Sequence, residues 1–266
     1  MNDERGDTAV SVGTGRKPAR HLLGELGFAT GSVGEELHGT ASITPEMHVP
    51  GVPFLRTSIL ATWADMMAGL LATRVTAPGV PVTLELDVHL YRPAPAAGTV
   101  RGVAATIKAG RSVFVAGVRF TTGDGEPLAI ANGSFMVARD PALRLPASVS
   151  TDLPAQRERL AEPLADRAGC ERRGPGTAVL PRTEDGLNAS GTVNGGLIAL
   201  VAEEAALSLA PGGTLCSMAL RYLQPARVGP VVATADLDRG LGQVELRDSG
   251  NGDRLTGIAT VRTARG

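Results

Sequence analysis

The chain has 266 residues, is 43% hydrophobic and 20% charged, and carries a net charge of −1. That composition describes a globular protein able to bury one large core or two ordinary ones. The balanced charge excludes an electrostatic footprint for nucleic acid or an anionic membrane surface, and five Phe, two Tyr and one Trp leave little for base stacking.

Residues 1–20 are polar and glycine-rich and lack the apolar core of a secretion signal, so they read as a disordered tail on a cytoplasmic protein. No run of about 18 apolar residues suggests a membrane span. A strand is expected over Leu37–Thr44, then a helix over residues 55–73 that is apolar almost all round. The alternating stretch Pro81–Pro93 reads as a strand ending in proline. Three more strands follow, at Thr99–Lys108, Ser112–Thr122 and Leu128–Ala138, punctuated by Gly110-Arg111 and Gly123-Asp124-Gly125. Residues 21–140 therefore form a first domain. Residues 141–175, rich in Pro and Arg, read as a crossover linker with a short helix between Pro154 and Ala168. Residues 176–266 form a second domain: a strand at Thr177–Arg182, a helix over 195–209, and strands at Thr214–Pro225, Pro230–Asp238, Gln243–Asp248 and Arg254–Thr263. Cys170 and Cys216 have no metal-ligand spacing and read as free thiols of a reducing compartment; no metal and no cofactor is expected.

The two domains repeat each other. Superposing the helices puts Ala61 on Ala199, Ala64 on Ala202, Ala68 on Ala206 and Leu71 on Leu209. Asp65 then falls on Glu203. A buried carboxylate is costly unless partnered or protonated, so two at equivalent positions invite a functional explanation. Each half is a strand, a helix and a four-stranded meander, which predicts an α+β fold with an antiparallel sheet curled around each long helix.

Strand, acid-bearing helix and meander in tandem resemble the hotdog fold in its double form. The sequence is similar to the phenylacetate-pathway type of acyl-CoA thioesterase. That family carries an Asn, then His-Gly-Gly six residues on, and a catalytic acid seven residues after the second Gly. Here the second half reads Asn188 to Asn194-Gly195-Gly196 and then Glu203, with Asn194 in place of His. The first half keeps the acid, Asp65, but has Pro50 in place of the Asn and Arg56-Thr57-Ser58 in place of His-Gly-Gly. The resemblance spans residues 21–265 and implies a thioesterase whose substrate is a small acyl-CoA or an acyl-carrier thioester, with CoA present only as part of that substrate. It admits a homodimer of such chains, with no nucleic-acid or membrane partner.

The chemistry suits these residues. Gly195 and Gly196 open a helix, so their N–H groups lack intrahelical acceptors and sit at the positive end of its dipole. Such an N–H can stabilise a thioester oxyanion. A nearby carboxylate can activate water or attack directly. In dimeric relatives the acid of one unit faces the glycine loop of the other. By that analogy Asp65 faces Asn188, Asn194 and Gly195, with Asn194 and Gly196 as substrate contacts, while Glu203 faces Pro50 and Thr57 in a degenerate site. Thr83 lies where some relatives carry a catalytic hydroxyl; its counterpart, near Leu215, has none. Trp63, Arg92 and Arg111 are further expected substrate contacts, the arginines for CoA phosphates. His48-Val-Pro-Gly-Val-Pro resembles the active-site stretch of acyl-carrier-protein dehydratases, but Asp65 comes too late in the helix, which makes that reading a weak alternative. A non-catalytic acyl-CoA-binding protein remains as the second functional class.

Overall fold

The structure is a computed structural model that describes residues 21–146 and 149–265. The expected N-terminal tail lies outside the described residues. Twelve strands form one antiparallel sheet: β1 (Ala29–Val33), β2 (Glu36–Ile43), β3 (Pro81–Leu90), β4 (Gly98–Ala109), β5 (Phe114–Thr122), β6 (Pro127–Val137), β7 (Glu171–Gly174), β8 (Thr177–Leu180), β9 (Gly213–Tyr222), β10 (Val231–Asp238), β11 (Leu241–Asp248) and β12 (Arg254–Arg265). The helices are α1 (Thr57–Thr76), the short α2 (Leu164–Arg167) and α3 (Gly195–Ser208).

The sheet order is β1-β2-β4-β5-β6-β3-β9-β12-β11-β10-β8-β7. It is the same arrangement read from either edge, with β3 and β9 meeting in the middle. That junction pairs Glu85 with Arg221, Asp87 with Ala219 and His89 with Ser217. Each half thus wraps its own helix, α1 or α3, as a tandem hotdog fold requires. Joining the halves at β3 and β9 removes two sheet edges that would otherwise stay open.

Both helices are buried nearly all round. Ile59, Leu60, Ala61, Ala64, Met67 and Ala68 of α1 are 0% exposed, as are Ala199, Leu200, Val201 and Ala202 of α3. The two helices also pack on each other. A Cβ added to Gly196 would stand 2.3 Å from Thr62 Oγ1, so only glycine permits this approach. At about 25 cal/mol per Å², burial on this scale supplies the main favourable term of folding.

Two edge strands fall where the sequence offered none. β1 pairs with β2 ahead of the first helix, and β7, inside the stretch expected to be linker, pairs with the expected strand β8. The short helix expected between Pro154 and Ala168 is confined to four residues, Leu164–Arg167. No described helix is long and apolar enough to cross a membrane.

Candidate active site

The site lies between the halves, where β3 and β9 bring one helix against the start of the other. Asp65 sits in the third turn of α1. Its Oδ1 accepts a hydrogen bond from Thr83 Oγ1 at 2.8 Å. Thr83 is at the start of β3 beside an irregularity in the β3–β6 pairing, between Thr83 and Glu85. Such bulges re-aim side chains. The equivalent place on β9 also has one, beside Leu215, but no hydroxyl there.

Asp65 Oδ2 points at the beginning of α3 in the other half. A Cβ built on Gly195 would lie 3.2 Å from Asp65 Oδ2 and 3.1 Å from the hydroxyl of Tyr222. The glycine therefore leaves free the space that these two oxygens flank. As the first residue of α3, Gly195 has an N–H with no acceptor among the described residues. The next N–H is not free: Asn194 caps the helix with its own Oδ1, 2.8 Å from Gly196 N. Burial raises the Asp65 carboxyl to a pKa of about 6, against the opposing pull of the Thr83 hydrogen bond.

These groups open onto a cavity of about 910 Å³. Asp65, Thr83, Asn188, Asn194, Gly195 and Tyr222 line it, with apolar walls that include Met66, Leu70, Val82, Phe135 and Leu143. Its rim loop is held from below by Asp248, a fully buried carboxylate that accepts from the backbone N–H groups of Arg227, Val228 and Gly229. Asn188 is more committed than its motif suggests. Its Oδ1 accepts from the N–H and hydroxyl groups of both Ser190 and Thr192, closing a tight turn. Only its amide NH₂ remains to meet a ligand.

Other expected contacts lie elsewhere. Trp63 is 1% exposed, stacks on Phe28 with ring centroids 4.9 Å apart, and does not line the cavity. It points into the core of its own half because α1 presents Met66 and Leu70, not Trp63, to the cavity. Gly196 faces Thr62 instead. Arg92 is exposed beside Asp124, at the far end of β3 from Thr83, roughly 30 Å away at the rise of a strand. Arg111 is exposed in the β4–β5 turn, at the same end of the sheet as Thr83 but outside the cavity lining.

Glu203 occupies the mirror position, and its surroundings are closed. Its Oε1 accepts from Thr57 N at 2.9 Å, and its Oε2 from Ser58 Oγ at 2.7 Å and Arg56 Nη1 at 3.2 Å. The carboxylate thereby caps α1 from the other half, at the positive end of that helix. Arg56, 0% exposed, stands where the superposition puts Asn194. It also meets Glu204 at 2.6 Å, and Arg172 holds Glu204 from the other side at 2.6 Å. Burial raises the Glu203 carboxyl while Arg56 opposes the rise. Burial and the neighbouring Glu204 charge push the Cys170 thiol up to about 12, which leaves it protonated. Both cysteines are free.

Tyr222 was not among the residues singled out from the sequence. It is half-buried at the end of β9 and its hydroxyl donates to the Gly195 carbonyl at 3.1 Å. A signal existed. Of the two tyrosines, Tyr91 sits at the corresponding end of β3 but one position later in register, and it is 64% exposed. One residue turns a strand side chain to the opposite face.

A curled antiparallel sheet wrapped around a helix, twice over, is the tandem form of the hotdog fold. Residues 57–129 match the family model of the Thioesterase superfamily, a stretch that carries α1, Asp65 and Thr83. Among solved structures, the chain is similar to an acyl-ACP thioesterase from Bacteroides thetaiotaomicron (14% identity, 86% of this chain and 98% of that one, TM-score 0.61). It is also similar to the 12:0-ACP thioesterase of Umbellularia californica (13% identity, 89% and 100%, TM-score 0.64). At such identities the likeness is one of fold. No curated protein matches the sequence. Among the described residues, no group of three or more His, Cys, Asp or Glu is placed to hold a metal ion.

Proposed function

We propose that the protein is a thioesterase that hydrolyses an acyl thioester of coenzyme A or of an acyl carrier. The observation that carries this reading is Asp65 Oδ2 placed against Gly195, the first residue of a helix from the other half, inside an apolar-walled cavity.

The substrate carbonyl would sit with its oxygen at the Gly195 N–H and its carbon near Asp65 Oδ2. Asp65, held through Oδ1 by Thr83, takes a proton from water as the water oxygen bonds to the carbonyl carbon. The carbonyl electron pair moves onto oxygen, where the Gly195 N–H and the α3 dipole stabilise it. Collapse breaks the carbon–sulfur bond, and the departing thiolate takes the proton from Asp65. A carboxyl with a pKa of about 6 suits both transfers near neutral pH. The Asn188 amide is free to orient the thioester from the cavity wall. The apolar lining favours an aliphatic or aryl acyl group, and the solved acyl-carrier thioesterases of like fold keep carrier-bound substrates beside acyl-CoA.

Glu203 takes no part in turnover under this reading, because the Arg56 side chain fills its half of the interface. One chain therefore has one working site. The protein would act in the cytoplasm without metal or cofactor. The test is CoA release from a panel of short, medium, long and aryl acyl-CoAs, beside an acyl-carrier substrate. Hydrolysis of at least one, abolished in Asp65→Asn, supports the proposal. Tight binding without hydrolysis would make the protein a binder and overturn it.

A further inference from the structure

Resting on that reading, we infer that Tyr222 is the water-positioning residue of the site, its phenol oxygen accepting the second hydrogen of the water that Asp65 activates. The geometry fixes the direction of each hydrogen bond. Tyr222 donates its only proton to the Gly195 carbonyl at 3.1 Å, so the lone pairs of its oxygen remain as acceptors. Thr83 occupies Asp65 Oδ1 and leaves Oδ2 without a partner among the described residues. Both free oxygens lie within 3.2 Å of the one point where a Gly195 Cβ would stand. They are therefore no more than about 6.3 Å apart, and one water oxygen making two hydrogen bonds of ~2.8 Å spans any separation below about 5.6 Å.

A nucleophilic water has two hydrogens and must keep a lone pair for the carbonyl carbon. Asp65 Oδ2 takes one hydrogen, which is the one abstracted. An acceptor for the other, beside the same glycine, leaves that lone pair for the cavity that both groups line. A carboxylate there would repel Asp65 and an amide could flip. A phenol tied to a backbone carbonyl does neither. Burial and the Asp65 charge also keep Tyr222 protonated well above its ordinary range, so it stays in the donor chain at neutral pH. The residue comes from β9 of one half and serves the acid of the other, so the working site draws on α1, the start of β3, the start of α3 and the end of β9.

The test is Tyr222→Phe beside Asp65→Asn, with kcat, KM, the pH profile and binding of a non-hydrolysable acyl-CoA analogue measured for each. Tyr222→Phe is expected to lower kcat by about 10- to 100-fold, the scale of a misplaced reactant. KM and analogue binding should stay within about twofold, and the acid limb of the profile should stay near that of the wild type. A kcat within about twofold of wild type, while Asp65→Asn is inactive, would overturn the inference and leave the hydrolase reading standing. Full turnover in both variants would overturn that reading itself. A fall in kcat matched by lost analogue binding, or by a displaced acid limb, would reduce Tyr222 to a strut for α3. A second variant guards against misfolding: 3-fluorotyrosine incorporated into a Tyr91→Phe chain keeps shape and donor but weakens the acceptor oxygen. It is expected to slow kcat, and an unchanged kcat would likewise overturn the role.

Discussion

Replacing Asp65 by Asn should make the protein inactive and more stable at once. The carboxyl has an ordinary pKa of 3.8 and is raised by burial to about 6 in the folded chain. The folded state thus holds this proton more tightly than the unfolded state does. Its stabilising contribution is full below pH ~4 and is lost as the pH rises through about 6. A gap of about two pKa units corresponds to about 3 kcal/mol as an upper bound, and Asp65 keeps some contact with solvent through the cavity, so about 1–3 kcal/mol is the working range. Asn keeps an oxygen to accept from Thr83 and carries no charge to desolvate. At pH 8 Asp65→Asn should therefore be more stable than wild type by that amount, or roughly 2–4 °C in Tm per kcal/mol. Near pH 4 the two should converge. Thermal and urea unfolding at both pH values, run beside CoA release, measure this. Turnover should fall at least about a hundredfold. A folded Asp65→Asn that is less stable at pH 8 would mean the carboxylate is a structural anchor, and one that still turns over would remove it from the chemistry.

Wild-type kcat/KM should fall as the pH drops below about 6, because protonated Asp65 cannot accept from water; a profile flat down to pH 5 contradicts the assignment. Glu203→Gln should cost about 3 kcal/mol of stability, since it removes one partner from a fully buried Arg56, yet turnover of the folded protein should stay within about fivefold of wild type. If it proves more damaging to turnover than Asp65→Asn, each half uses its own acid. Gly195→Ala should lower kcat by at least about tenfold with little change in Tm, because the methyl group enters the space between Asp65 Oδ2 and the Tyr222 hydroxyl.

Much of this architecture could be read from the chain because apolar runs and alternation survive without tertiary information. Both long helices, the eight meander strands and the equivalence of Asp65 with Glu203 came from that pattern. The edge strands β1 and β7 did not: in Ala-Thr-Gly-Ser-Val the buried residue is the polar Thr30 and Val33 is exposed, and Glu-Arg-Arg-Gly has no apolar residue to alternate. Trp63 shows the other limit. A helix apolar on every side has no phase to say which side faces a cavity, so the sequence could not separate Trp63, in the core, from Met66, on the cavity wall. The pairing of Arg56 with Glu203 spans 147 positions and joins different halves, and no local pattern announces such a contact. Tyr222 was hidden by a single step of register relative to Tyr91.

The buried Arg56 cluster also changes what kind of object this chain is. In a symmetric pair of identical subunits, every substitution enters both interfaces together, so an arginine that shuts one site shuts the other. A single polypeptide carrying both halves is free of that constraint. Here one interface has become a fastener, with Arg56, Glu203, Glu204 and Arg172 clamping the helices. The other remains hollow around Asp65 and Gly195. Pairing two copies of one half would yield neither: two first halves would set Asp65 against Arg56, and two second halves would set Glu203 against Gly195. Only the covalent heterodimer has one of each.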